Sequence, residues 1–155
     1  MDKISTKEAL TRLQKICSLQ EKCISDIRRK LNEWGIPAKE SQEIIEKLKK
    51  DKFIDEERYA ICFVRDKYKI NKWGREKIKY ALIQKSIPEE IIKSALSEIR
   101  SDIYNDTLKE LLTKKKKEIK SKNIYEIKGK LIRFGTQKGY NFEIVYRMVY
   151  EVLGE

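Results

Sequence analysis

Histidine is absent from this 155-residue chain, and proline and glycine are scarce, with two and six residues. Because histidine is the commonest general base in enzymes, its absence disfavours acid–base catalysis. The sequence also lacks the glycine-rich phosphate loop and the nucleophile elbow of common enzyme folds. Few helix breakers in a chain with 39% charged residues favour a helical protein. We therefore expect an all-α protein that is not an enzyme.

Cysteine is also rare, with residues only at positions 17, 23 and 62. They form no CxxC pair and have no histidine partner, which disfavours a zinc site or a disulfide framework. Cys17 and Cys62 lie at apolar helical positions, where we expect them to act as small core residues. The sequence thus predicts no metal and no cofactor.

Long apolar runs are missing as well. No stretch approaches the length needed to span a bilayer, and residues 1–5 lack the apolar region of a signal peptide. No heptad seam is present, which favours a monomer. We expect a cytoplasmic protein with no membrane attachment.

Positive charge is the main feature that the sequence does contain. The net charge is +11, and it divides into +4 for residues 1–52, +3 for 53–100 and +4 for 101–155. A surface of this sign favours polyanions or nucleoprotein assemblies as partners. The alternative is a lysine-rich helical surface that only contacts solvent.

Three turn sequences recur along the chain at nearly equal intervals. They centre on Gly35, Ser86 and Gly139, with spacings of 51 and 53 residues, and each separates two segments with helical apolar spacing. A period near 50 residues is typical of helical repeat proteins. The sequence therefore predicts three tandem three-helix modules, at 1–52, 53–100 and 101–155, that form an elongated, curved array.

Local signals place several helix ends within these modules. Ser5 and Asp55 are of the types that cap helix starts, and Gly35 suits a left-handed residue that ends a helix. A long helix is predicted from Ser101 to near Lys122. Acid-first pairs four residues apart, such as Glu8–Arg12 and Asp26–Lys30, should support the helices.

Residues 53–67 resemble the signature of the RecX family, whose members regulate the RecA recombinase. The resemblance continues through Trp73-Gly74 and Ala95-Leu96, back to Arg28-Arg29-Lys30 with Gly35, and forward to Lys130-Leu131-Ile132-Arg133-Phe134 with Gly139-Tyr140. It covers about residues 8 to 153. The chain departs from the family pattern at Cys23 in place of a serine cap, Arg75 where proline is common, and Gly135 in place of leucine.

The resemblance implies binding to RecA and to RecA filaments on single-stranded DNA. It further implies inhibition of ATP hydrolysis and strand exchange, with a role in DNA repair, homologous recombination and the SOS response. A stand-alone, sequence-nonspecific nucleic-acid-binding protein is the alternative, motivated by the net charge.

Basic residues within or near the family-like segments are the candidate contacts to RecA or DNA: Arg28, Arg29, Arg65, Lys67, Lys69, Lys72, Arg75, Lys79, Lys130 and Arg133. The denser run Lys114–Lys117 covers every side of its helix, and we interpret it as a solvent-facing stretch. Trp34 and Trp73 each adjoin a glycine at a helix end, where packing against the turn is favoured over stacking on bases.

Overall fold

The structure, a computed structural model, describes residues 4–154. Within that range the chain forms nine α-helices and no strand, which confirms the all-α prediction. The helices are α1 (Thr6–Leu19), α2 (Ile24–Glu33), α3 (Ala38–Lys50), α4 (Glu56–Lys69), α5 (Arg75–Gln84), α6 (Glu89–Leu96), α7 (Ser101–Glu118), α8 (Ile124–Gln137) and α9 (Phe142–Val152).

The three recurrent turns have the same backbone conformation. Gly35, Ser86 and Gly139 all have left-handed φ angles, of 73°, 60° and 100°. In each turn the amide of the next residue donates to a carbonyl five positions earlier, at the end of the preceding helix. These bonds are Ile36 to Leu31 (3.0 Å), Ile87 to Leu82 (3.1 Å) and Tyr140 to Gly135 (3.2 Å). This arrangement is the Schellman helix end, so the predicted turn repeat is confirmed as a structural repeat.

Polar caps begin two helices at the predicted positions. The amide of Glu8 donates to Ser5 Oγ at 3.0 Å, and the amide of Arg58 donates to Asp55 Oδ1 at 3.0 Å. The predicted end of the long helix near Lys122 is wrong, because α7 ends at Glu118. Ile119 is extended, and Asn123 Oδ1 accepts the amide of Tyr125 at 2.9 Å to start α8.

The described chain divides into two compact units, each with more contacts inside it than to the other. These units differ from the three predicted modules. Unit 1 comprises residues up to Phe63 together with Leu82–Ala95, and unit 2 comprises Val64–Ala81 and the chain from Leu96 onward. The predicted module boundaries stay a prediction.

Unit 1 encloses an aliphatic core. Its buried members come mainly from α1, α2 and α3: Ala9, Leu13, Cys17, Ile27, Leu31, Ile36, Ile44, Ile45, Leu48 and Ile54. Burial of Cys17 confirms its predicted core position, whereas Cys62 is only half-buried. Cys23 is also fully buried, and its Sγ lies 3.2 Å from Ser25 Oγ.

Unit 2 has aromatic rings at its centre. The rings of Tyr104 on α7 and Tyr140 before α9 stack with centroids 4.8 Å apart, and both residues are buried. Tyr68 Oη lies 2.8 Å from Thr107 Oγ1, which joins α4 to α7. Burial raises the pKa of Tyr104, and the hydrogen bond and charge of Arg75 offset part of that rise. These contacts fix the α4–α5 turn of this unit against α7 and the α8–α9 turn.

Candidate binding surface

A dense group of basic residues lies at the end of the family-like motif of residues 53–67 and directly after it, in the segment from the end of α4 to the first turns of α5. Residues 65–80, here called the basic segment, contain seven basic and two acidic residues. Six of the ten predicted contact residues belong to it: Arg65, Lys67, Lys69, Lys72, Arg75 and Lys79. All of it lies in unit 2.

Three of these lysines project their charge into solvent. Lys69, Lys72 and Lys79 are exposed. None of the three makes an ion pair within residues 4–154. Unpaired cations release the most counterions when they meet a polyanion, and they attract acidic partners over the longest range. These three residues are therefore suited to contact a partner.

Lys67 is partly exposed to solvent, and its ammonium group contacts the ring of Trp73. Its Nζ lies 4.8 Å from the centroid of the Trp73 ring, and Nζ of Lys77 lies 4.4 Å from the same centroid. Cation–π contacts of this kind hold both ammonium groups beside the half-buried indole. Lys77 was not among the predicted contact residues, although it lies on α5 close to Lys79.

Arg75 has contacts within the unit that explain its presence without a partner. Its Nη2 donates to the carbonyl of Ile99 at 2.8 Å, and its guanidinium carbon lies 4.2 Å from the centroid of the Tyr104 ring. The main-chain amide of Arg75 donates to Tyr104 Oη at 3.0 Å. Partner contact by Arg75 stays a prediction, and the contacts that its guanidinium makes in the structure are with residues of its own unit.

The backbone of the basic segment is held by the α8–α9 turn. Tyr140 Oη donates to the carbonyl of Lys72 at 3.2 Å, where Lys72 has a left-handed φ of 59°. Nζ of Lys138 donates to the carbonyl of Asn71 at 3.1 Å. Such bonds limit motion of the turn, so its lysines are presented from a fixed backbone.

Two apolar side chains on the same segment are exposed, and sequence reasoning did not single them out. Ile70 is 75% exposed and Tyr80 is 65% exposed. Ile70 lies just after α4, and Tyr80 lies on α5 away from its buried apolar positions. An apolar residue outside the apolar stripe of its helix is the sequence feature that could have identified both as exposed. Exposed apolar groups with charged residues around them match the apolar centre and polar rim of a protein interface.

The remaining predicted residues of unit 2 lie on α4 and α8. Arg65 is 3.9 Å from Glu98 Oε2, and Lys130 is 3.2 Å from Glu126 Oε1. Arg133 is exposed on α8, one turn beyond Lys130. Exposed ion pairs are weak, so Arg65 and Lys130 can exchange these carboxylates for those of a partner at small cost.

The two predicted arginines of unit 1 flank an open groove of about 970 Å³ between α2 and α3. Arg28 Nη2 donates to Gln42 Oε1 at 3.1 Å, and Arg29 pairs with Asp26 at 3.0 Å. Glu56 also lines this groove, and burial raises the pKa of its carboxyl. The groove is thus of mixed charge, unlike the basic segment.

The chemistry available on these surfaces is ionic and apolar contact. Residues 4–154 contain no cluster of three or more side chains of the metal-ligating types histidine, cysteine, aspartate and glutamate. None of the helices described is long and apolar enough to cross a bilayer.

Comparison with known proteins identifies the family. The model of the second three-helix domain of RecX matches residues 55–96, and that of the third three-helix domain matches residues 102–149. Together the two models match more than half of the chain. The chain belongs to the RecX family. The first matched domain contains α4, α5 and α6, including the basic segment.

Individual relatives agree with this assignment. Regulatory protein RecX of Clostridium perfringens strain SM101 is 38% identical over 120 residues, which are 76% of this chain and 56% of that protein. Regulatory protein RecX of Clostridium beijerinckii is 34% identical over 130 residues, 83% and 60% of the respective chains. The chain thus spans somewhat more than half the length of these curated RecX relatives.

Solved RecX structures share the fold. The crystal structure of a regulatory protein RecX has a TM-score of 0.85 and 27% identity, covering 94% of this chain and 71% of that one. RecX from Lactobacillus salivarius also has a TM-score of 0.85, with 21% identity and 97% coverage of both chains. These similarities confirm tandem three-helix RecX domains in an all-α fold.

Proposed function

We propose that this RecX-family protein binds RecA and RecA filaments on single-stranded DNA, and that it mainly inhibits their ATP hydrolysis and strand exchange. The observation that carries the proposal is the basic segment, with exposed Lys69, Lys72 and Lys79 on a backbone held by hydrogen bonds from Lys138 and Tyr140. Membership of the RecX family is the reason to propose RecA as the partner. The protein acts by occupying the filament and performs no chemistry of its own.

A dose series tests this proposal directly. RecA-driven ATP hydrolysis on single-stranded DNA is measured with increasing amounts of the protein. We expect inhibition at ratios near stoichiometric with the filament. Absence of inhibition at those ratios, together with tight binding to naked DNA, would contradict the proposal.

Paired charge variants test the role of the basic segment. The double variant Lys69→Gln with Lys79→Gln should associate with RecA-coated DNA several-fold more slowly, because charges at an interface rim mainly set the association rate. The matched control is Lys114→Gln with Lys117→Gln, which removes the same charge from exposed positions of α7 in the same unit. Equal slowing by both variants would show that only net charge matters.

The second candidate function is sequence-nonspecific nucleic-acid binding without RecA, favoured by the net charge of +11. If about five phosphates are neutralised on duplex DNA, the slope of log affinity against log salt concentration should be near −4.5. A slope of that size, with equal affinity for naked and RecA-coated DNA, would favour this candidate.

A further inference from the structure

The outer surface of α8 and α9 carries four aromatic rings, and three of them contact one another along α9. Phe142, Tyr146 and Tyr150 recur every four residues along α9, with ring centroids 5.8 Å and then 4.9 Å apart. Phe142 is 57% and Tyr146 is 44% exposed, and Tyr125 at the start of α8 is 80% exposed. We call these four residues, with Lys128, the aromatic patch.

Lys128 connects the rings of the two helices. Its Nζ lies 4.6 Å from the centroid of Tyr150 and 6.0 Å from that of Tyr125. The hydroxyls of Tyr146 and Tyr150 lie 2.9 Å apart and share a hydrogen bond. These contacts already order the aromatic side chains. Binding of a partner here therefore costs little additional conformational entropy of those side chains.

The packing of α9 inside unit 2 does not require the aromatic side chains of this patch. The inner face of α9 is formed by Val145, Met148 and Val149, all buried. The aromatic side chains lie beside that face: Phe142 is mostly exposed, Tyr146 is 44% exposed and Tyr150 is half-buried. Large exposed apolar groups in mutual contact mark interaction sites.

Charge and ring geometry favour a protein over a nucleic acid as the occupant. The rings of Tyr146 and Tyr150 pack against neighbouring rings, and Lys128 lies over Tyr150, which leaves little free face for a base on these two rings. Exposed Glu143 on α9 would repel phosphates. An aromatic centre with a rim of both charge signs is typical of protein interfaces.

We propose that the aromatic patch is the apolar anchor through which this protein is retained on the RecA filament, an inference that rests on the proposed function. The occupant is a protein surface that offers aliphatic side chains to the rings and carboxylates to exposed Arg147. The predicted contact residues Lys130 and Arg133 lie on α8, the same helix as Tyr125. Charge on the basic segment sets the association rate, whereas the anchor sets the residence time.

Dissociation kinetics test the anchor. The double variant Tyr125→Ala with Phe142→Ala removes the two most exposed rings of the aromatic patch. On immobilised RecA-coated single-stranded DNA, we expect its dissociation rate to rise by about tenfold or more, with the salt dependence of association unchanged. The control Leu19→Ala with Ile103→Ala removes exposed apolar groups at 79% and 46% exposure outside the patch, and it should dissociate like the wild type.

A ring-preserving variant and a fold check complete the experiment. Tyr125→Phe with Phe142→Tyr keeps both rings and should dissociate at close to the wild-type rate. Circular dichroism verifies folding, and if the double alanine variant is unfolded, the single variant Tyr125→Ala carries the test.

The outcomes separate the two proposals. If the wild type binds the filament and the double alanine variant dissociates no faster, the anchor is refuted. If that variant instead loses affinity for naked single-stranded DNA to the same degree as for the filament, the occupant is a nucleic acid and the anchor is also refuted. If the wild type does not bind the filament, the proposed function fails first.

Discussion

The main-chain amide of Gly74 donates a hydrogen bond to the carbonyl of Lys138 at 2.8 Å. The amide of Glu76 donates to the carbonyl of Gly139 at 2.9 Å, so two backbone bonds join the α4–α5 turn to the α8–α9 turn. The backbones approach so closely that a Cβ atom on Gly74 would lie 2.4 Å from both the carbonyl carbon and the carbonyl oxygen of Gly139. Only glycine fits at this position of unit 2.

Substitution of Gly74 by alanine is therefore expected to destabilise the protein. The new methyl group meets backbone and not a flexible side chain, so both turns must separate and their hydrogen bonds weaken. We expect the free energy of unfolding to fall by at least about 2 kcal/mol. Urea denaturation followed by circular dichroism measures the loss.

Gly129→Ala is the matched control for that variant. A Cβ at Gly129 meets nothing within 4 Å, and the residue lies inside α8. Alanine should stabilise this helix by about 0.5–1 kcal/mol. If both variants unfolded at the same urea concentration, close backbone contact at Gly74 would not be the reason for its glycine.

Gly135 permits close packing of α8 on α9. A Cβ at this position would lie 2.7 Å from Cγ1 of Val145, which is fully buried. We expect Gly135→Ala to lower the free energy of unfolding by about 1–3 kcal/mol. In the double variant with Val145→Ala the obstructing methyl groups are gone, so its loss should be smaller than the sum of the two single losses. Additive losses would contradict this packing explanation.

Replacement of Arg75 by lysine separates structural from binding roles. Lysine keeps the charge but loses the planar stacking on Tyr104 and the geometry of the bond to Ile99. The expected result is a loss of about 1–2 kcal/mol in the free energy of unfolding, with an unchanged rate of association with RecA-coated DNA. Slower association at full stability would instead assign Arg75 to the partner contact.

Asp26 and Lys85 form a hydrogen-bonded ion pair at 2.7 Å, with Asp26 only 12% exposed. Burial alone would raise the pKa of Asp26, but hydrogen bonds from Lys85 and Cys23 outweigh it and hold that pKa below the usual 3.8. Lys85→Met removes one of the two cations that contact this mostly buried carboxylate, and Arg29 remains at 3.0 Å. Because Lys85 itself is about one-third exposed, we expect a loss of only about 1–2 kcal/mol at neutral pH.

This loss should depend on pH in a defined direction. Because the folded-state pKa of Asp26 is depressed, its stabilising contribution is present above about pH 3.8 and is lost as the pH falls through the folded value. The difference between wild type and Lys85→Met should thus shrink in urea titrations below pH 3.8. A difference that grows on acidification would contradict the assignment.

Helix ends were predictable where one residue type satisfies a strict local requirement. Ser5, Asp55 and Gly35 act as predicted, because capping and left-handed φ angles are decided within a few residues. The end of α7 was missed because its lysine run continues past Glu118, and only the cap at Asn123 marks the new helix.

Contacts between residues that are far apart in the sequence could not be predicted from the sequence. The pair Glu8–Arg12 forms as predicted at 2.8 Å, but Asp26 bonds Arg29 and Lys85 in place of Lys30. Gly135 departs from the family pattern, and its reason lies in the close approach of Val145 from another helix. Charge and spacing identified candidate basic residues, but which of them face solvent depends on such tertiary contacts.

Each compact unit contains one tryptophan, Trp34 in the first and Trp73 in the second. Both indoles have cationic groups close to the ring: Arg12 at 5.7 Å from Trp34, and Lys77 at 4.4 Å from Trp73. Variants with a single tryptophan therefore report fluorescence from one unit at a time, with no added dye. The protein carries its own pair of optical probes, and the one at Trp73 lies within the surface proposed to meet the filament.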